Sequence, residues 1–171
     1  NKVADGVFEP LRQKNVDTGM GLDRTVATLQ GVESVYDTDA FTGILAAIAR
    51  LSGRRYGDDA GTTRAFRIVA DHIRSATFLL GDRRPVTPSN VDQGYILRRL
   101  IRRAIRYAMQ LGIPEGALHE VAEAVVDQYG DFYHELAESR STIVSELNKE
   151  EMRFASGLKK GCLLYTSDAA D

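Results

Sequence analysis

The chain has 171 residues, 43% of them hydrophobic and 27% charged, with a formal charge of -2 at pH 7. This suits one ordinary globular domain, or a domain with part of another, and excludes collagen-like, mucin-like and strongly disordered chains. A polyanion would have to be met by a local cluster rather than by the field of the whole chain. The single cysteine, Cys162, can form neither an internal disulfide nor a four-thiolate metal site.

A membrane-spanning helix needs about 18 consecutive apolar residues, and no such run occurs. The start NKVADGVFEP lacks the basic segment and apolar block of a secretory signal. The expectation is a cytoplasmic protein with no membrane partner.

Turn chemistry dominates as far as Gly31, around NVDTGMGLDRTVATLQG. Val16 and its neighbours are expected to end a short strand. Gly19 and Gly21 tolerate tight backbone geometry, and Leu22 to Gln30 has helical spacing with Leu22, Val26 and Leu29 on one side. Gly31 suits a helix stop, and Asp39 is placed to cap a helix carrying Phe41, Ile44, Leu45 and Ile48. The glycine-rich SGRRYGDDAGTT reads as a surface connection and as the best place for a boundary between subdomains.

From Thr63 the periodicity is helical, with Phe66, Val69, Ala70, Ile73 and Thr77 returning to one face until about Gly81. A loop with two prolines follows, in which Ser89 and Asp92 have the spacing of a capping box. The clearest helix runs from about Val91 to Leu111. Its apolar stripe includes Ile96, Leu97, Leu100, Ile101, Ala104 and Ile105, and Gly112 and Pro114 end it. Beyond Pro114 the charge changes sign: residues 115–154 hold ten Asp or Glu against three Lys or Arg. Val121, Val125, Leu136, Ile143 and Leu147 mark two further helical regions. GCLLYTSDAAD loses this periodicity and is expected to have no folded role.

Three groups of residues could carry chemistry. Arg98, Arg99, Arg102, Arg103 and Arg106 form a basic series beside the apolar stripe. They can attract phosphate, or form a solvated face, or pair with the acidic helices that follow. Asn90 has both an amide donor and a carbonyl acceptor, so it can read a base edge, or simply cap the helix start. In NVDTGMGLDR, Asp17 can hold an ammonium group, Gly19 and Gly21 can admit a nucleotide close to the backbone, and Arg24 can meet phosphate. Alone, that motif reads more readily as a structural turn, being neither a dinucleotide fingerprint nor a Walker loop. His72, His119 and His134 are separated and read as structural, with no metal-ligand spacing to Cys162; Met20 and Met109 read as packing residues.

Taken together, VDTGMGLDR, ADHIRSATFLLGD and PSNVDQGYILRRLIRRAIR resemble the alanyl-tRNA synthetase family, over about Phe8 to Leu158. The first looks like the third class II motif, and the others look like hallmarks of the tRNA-recognition region. The resemblance implies an α+β fragment, in which the end of a class II antiparallel-sheet core is followed by a mainly helical domain. Residues 1–60 would close the catalytic domain, 61–160 would form the recognition domain, and 161–171 would be a tail foreign to the family. The function implied is activation of alanine with ATP and magnesium and its transfer to alanine tRNA, with no DNA partner. Asp17 would contact the amino group of alanine and Arg24 would contact ATP, with Gly19 and Gly21 as close-approach positions.

By the same resemblance Asn90 would help read a guanine-uracil wobble pair near the acceptor end, while Arg98, Arg99, Arg102 and Arg103 would orient the tRNA. No metal ligand is expected here, and zinc is expected only in an editing domain outside this chain. Two positions depart from the family pattern: Asp23 stands where Glu is common, and Gln93 where Arg is often found. The fragment is expected to be inactive alone. The alternative is a noncatalytic tRNA-binding fragment or truncated paralogue.

Overall fold

The computed structural model describes the backbone of residues 1–168 and the side chains through residue 158. It is mostly helical, with one small antiparallel sheet. Strands β1 (Lys2–Ala4) and β2 (Val7–Phe8) pair with Lys2 opposite Phe8 and Ala4 opposite Val7. Both strands are exposed throughout. Residues 12–20 carry no regular structure, so the strand expected to end at Val16 does not form, and Val16 is almost fully exposed.

Helix α1 (Leu22–Gln30) forms where its spacing predicts it, but it is Ala27 that is buried; Leu22 and Leu29 face outward. Nine residues are too few to bury a full stripe unless a neighbour covers it. A short 3-10 turn (Val35–Asp37) leads into α2 (Asp39–Ser52). Thr38, not Asp39, is the cap residue of α2, and its hydroxyl donates back to the carbonyl of Val35 at 2.7 Å.

Helix α3 (Ala60–Gly81) is the centre of the fold, packing against α2, α4, α5, α6 and α7. Its start is fixed by Asp59, whose carboxylate accepts from the Thr62 N–H at 2.9 Å and the Thr62 hydroxyl at 2.6 Å. These bonds favour the charged form and lower the Asp59 pKa below the usual carboxylate range. Phe66, Val69 and Ile73 are completely buried. His72 is buried on the same helix, with Nδ1 2.9 Å from Asp71.

The remaining helices are α4 (Asp92–Leu111), α5 (Leu118–Tyr129), α6 (His134–Glu138) and α7 (Arg140–Asp168). The apolar stripe of α4 is narrower than its sequence suggests. Leu97, Ile101, Ala104 and Ile105 are buried, whereas Ile96 is exposed and Leu100 is only partly covered. Met20 and Met109 also face outward instead of packing. Gly112 ends α4 at φ +83, and its N–H reaches back to Ala108 and Met109. The start of α4 differs from a capping box: Ser89 folds onto Val91, and Asp92 takes the left-handed φ of +47.

Phe41, Ile44 and Ile48 of α2 share one apolar core with α3, α4 and α5. The chain therefore turns near residue 60 without interrupting its packing. Tyr129 and Gln128 of α5 donate to the carbonyls of Ala40 and Asp39 at 2.8 and 2.9 Å, fixing the start of α2. The stretch 161–168, expected to have no folded role, continues α7 as helical backbone. The rest of that expectation, for residues 169–171, lies outside the described residues.

Candidate functional site

The loop before α4 is held close to the helix. Ser89 donates its hydroxyl to the Val91 carbonyl at 2.8 Å, and its N–H bonds to the Gly94 carbonyl at 3.0 Å. The approach requires glycine at 94: a Cβ there would lie 2.5 Å from the Thr87 carbonyl oxygen and 2.9 Å from Ser89 Cβ. Asn90 sits exposed on this loop, and its side-chain carbonyl accepts a hydrogen bond from Arg98. A guanidinium can only donate, so the oxygen of the Asn90 amide must face Arg98 and its NH2 becomes the available end.

Arg98 is held in turn by α7. Glu150 is 1% exposed and places Oε1 2.6 Å from Arg102 Nε and 3.5 Å from Arg98 Nε, with Oε2 3.6 Å from Arg153. A lone buried carboxylate is costly, and three surrounding cations offset that cost while leaving the cluster positive. The cluster and the loop line an open cavity of about 460 Å³.

The five arginines of α4 thus divide by helix face. Arg98 and Arg102 turn toward α7, fulfilling in part the expected pairing with acidic helices. Arg99, Arg103 and Arg106 are exposed, and none forms an ion pair among the described residues. Arg99 lies 5.7 Å from the ring centre of Tyr95, and Arg106 lies 5.3 Å from that of Tyr107. Arg103 joins Arg64, Arg67 and Tyr36 around a second open cavity of about 450 Å³. Arg67 is restrained there by a 2.7 Å hydrogen bond to the Tyr56 hydroxyl. Such a surface, rich in guanidinium and free of paired carboxylate, attracts phosphate.

The other candidate residues lie near the start of the sequence. Asp17, Gly19, Gly21 and Arg24 are all exposed. Gly21 is extended at the start of α1, and the Arg24 side chain lies beside it. What is anchored here is Asp23, which receives hydrogen bonds from Arg74 of α3 at 2.5 and 3.2 Å. The Arg74 guanidinium also lies 4.1 Å from the ring centre of Phe41. Burial opposes its charge, but bonds to Asp23 and Tyr129 outweigh that and raise its pKa. A cavity of about 380 Å³ opens beside this pair, lined by Leu22, Val26, Phe78 and Tyr129. Neither Asp17 nor Arg24 lines it.

Sequence reasoning did not single out Glu150, Arg153 or Arg74 as parts of a site. Glu150 is one acid in the run NKEEMRF, and no local spacing ties it to arginines about fifty positions earlier. The departure of Asp23 was the one available signal near Arg74. Among the described residues there is no group of three or more His, Cys, Asp or Glu able to hold a metal ion, and no helix long and apolar enough to cross a membrane.

Comparison with known proteins identifies the family. A family model described as tRNA synthetases class II (A) matches residues 1–171. An alanine-tRNA ligase of Treponema pallidum is 51% identical over 160 residues, covering 94% of this chain and 26% of the relative. One of Borrelia hermsii is 48% identical over 157 residues, with 92% and 26% covered. One of Acidithiobacillus ferridurans is 42% identical over 168 residues, with 98% and 19% covered. The chain spans about a quarter of the length of the first of these relatives. With a family match along its whole length and relatives about half identical over nine-tenths of it, the chain belongs to the class II tRNA synthetases.

Proposed function

We propose that this chain is the segment of an alanine-tRNA ligase that joins alanine activation to recognition of the tRNA acceptor stem. The intact protein would condense alanine with ATP to alanyl-adenylate and pyrophosphate, then transfer the alanyl group to the 3' end of alanine tRNA in the cytoplasm. Residues up to about 60 close the catalytic domain and those from 61 to 160 form the recognition domain, with the shared core of α2 and α3 holding the two in register. Residues 161–171 are proposed as the end of family character, although the family match extends through them.

In the activation step, Asp17 accepts hydrogen bonds from the alanine ammonium, and Arg24 donates to the ATP phosphates as charge shifts toward pyrophosphate. Gly19 and Gly21 leave the backbone open to the nucleotide. Catalysis of this type rests on orientation and charge stabilisation, with no protein base required. The four groups are exposed here, which suits a wall whose facing surface is supplied by other parts of the protein. The proposed donor set is one carboxylate and one guanidinium, so the contribution of this segment is carboxylate and guanidinium contact, and magnesium would arrive with ATP.

In the recognition step, Asn90 reads a base edge at the wobble pair while the arginines position the backbone. The observation carrying this reading is the hydrogen bond from Arg98 that turns the Asn90 amide, beside a helix whose other face shows arginines with no ion pair among the described residues. The test uses the intact protein. Alanine-dependent ATP-pyrophosphate exchange and charging of alanine tRNA are expected, with charging lost when the wobble pair becomes a Watson-Crick pair. Activation of a different amino acid would reject the reading. RNA binding without any activation would favour a noncatalytic tRNA-binding paralogue.

A further inference from the structure

The recognition loop and α7 are linked through a single buried carboxylate. If Glu150 served only to tie α7 to α4, its 2.6 Å contact with Arg102 would suffice. It also approaches Nε of Arg98 at 3.5 Å, while the terminal nitrogen Nη1 of the same guanidinium donates to Asn90. The guanidinium is planar and rigid, so fixing one edge by Nε aims the other edge. The approach of the loop over Gly94 limits how far Asn90 can retreat.

We propose that Glu150 is a positioning residue for base-pair reading: through Arg98 it holds the Asn90 amide with its oxygen inward and its NH2 outward, toward a hydrogen-bond acceptor on the RNA base edge. An unrestrained amide rotates and offers oxygen or NH2 in turn, so it distinguishes acceptor from donor poorly. Glu150 keeps one orientation dominant because turning the amide over would set its NH2 against an arginine that only donates. The other cations of the cluster, Arg102 and Arg153, stabilise the buried charge, and the 2% exposure of the Glu150 side chain limits the screening of its attraction for Arg98.

This inference rests on the reading of Asn90 as the base reader, and the test separates the two. In the intact enzyme, kcat/KM for charging is measured with two acceptor-stem RNAs differing only at the wobble pair. The ratio of the two values is the readout, and ATP-pyrophosphate exchange serves as the control for folding. Glu150→Gln preserves volume and an acceptor for Arg102 but removes the charge. It is expected to lower the ratio about tenfold while exchange stays within about twofold of wild type. In an Asn90→Ala background, the same substitution is expected to lower the ratio no further, because a residue acting through another is not additive with it.

An unchanged ratio in Glu150→Gln, or an equal loss in both backgrounds, overturns the proposal while leaving Asn90 as reader. An unchanged ratio in Asn90→Ala alone removes the base reader and this proposal with it. Should Glu150→Gln lose exchange activity, Arg98→Lys decides in its place. Lysine keeps the charge but cannot hold Glu150 and Asn90 with two edges of one plane. It is expected to reduce the ratio comparably, and a wild-type ratio there overturns the proposal.

Discussion

The chain before Gly31 and the chain after it treat their polar groups in opposite ways. Before Gly31, Asp17, Gly19, Gly21 and Arg24 lie on an exposed segment beside apolar residues that are also exposed, among them Phe8 at 73% and Val16 at 97%. After Gly31, a helical core supports the candidate RNA face, and one buried carboxylate holds Arg98 and Arg102. The second region is organised by its own core. The first leaves its polar groups exposed, which is the arrangement expected under the proposal that they form one wall of a pocket. Asp23 and Arg74 form the joint between the regions.

The comparison is broken most severely at its structural base. Phe66→Ala is expected to destabilise the chain by about 3–5 kcal/mol, because Phe66 is fully buried and its removal leaves a cavity among helices already close-packed. Denaturant unfolding of this chain measures it. A loss under about 1 kcal/mol would mean the core is looser than described.

Arg24→Ala tests the other region without touching that core. In the intact protein it is expected to lower kcat/KM for ATP-pyrophosphate exchange about 10²–10³-fold, the usual scale for losing one donor to developing charge. Thermal stability should be nearly unchanged, since Arg24 is exposed. Equal activation kinetics would remove its role at ATP.

A smaller effect should divide the two faces of α4. Arg103→Ala is expected to weaken wobble and Watson-Crick RNAs equally and to reduce the slope of log affinity against log salt by about 1, as for one phosphate contact. Glu150→Gln should do the reverse, altering discrimination more than salt dependence. A change in discrimination from Arg103→Ala would merge the faces into one site.

The smallest effect concerns Glu151, beside Glu150 on α7. Burial raises its pKa despite hydrogen bonds from the N–H groups of Gly116 and Leu118. Oε1 accepts from Gly116 at 2.9 Å, and Oε2 is buried without a hydrogen-bond partner among the described residues. A carboxyl whose folded pKa exceeds its unfolded value binds its proton more tightly when folded. Its contribution is therefore present below the unfolded pKa and lost as pH rises through the folded one. Glu151→Gln should flatten this part of the stability profile, so its stability relative to wild type should rise as pH climbs from about 4. A relative stability falling over that range would reverse the sign. Thermal melts across pH measure it.

The helices were largely legible because their signals are local. Asp59 caps α3, Gly112 stops α4, and the return of Phe66, Val69 and Ile73 to one face requires only the helical period. The buried face of α1 was not legible, because periodicity states which residues align, not whether anything lies opposite them. Leu22 and Leu29 align, yet Ala27 meets the neighbour. The capping box at Ser89 failed for a related reason. Its spacing was right, but the close approach of the loop to Gly94 turned Ser89 onto Val91 instead.

For the candidate site, the sequence alone determined that α4 carries five arginines beside an apolar stripe, and that Asp17 and Arg24 belong to one short polar motif. Spacing along a helix fixes those placements within a turn or two. Only the tertiary structure decided that Arg98 and Arg102 are paired with Glu150 while Arg99, Arg103 and Arg106 stay exposed. The partner comes from a helix 48 residues away from Arg102, brought alongside by packing of apolar faces that have no knowledge of charge. Electrostatic pairing acts through space, so its outcome depends on that packing.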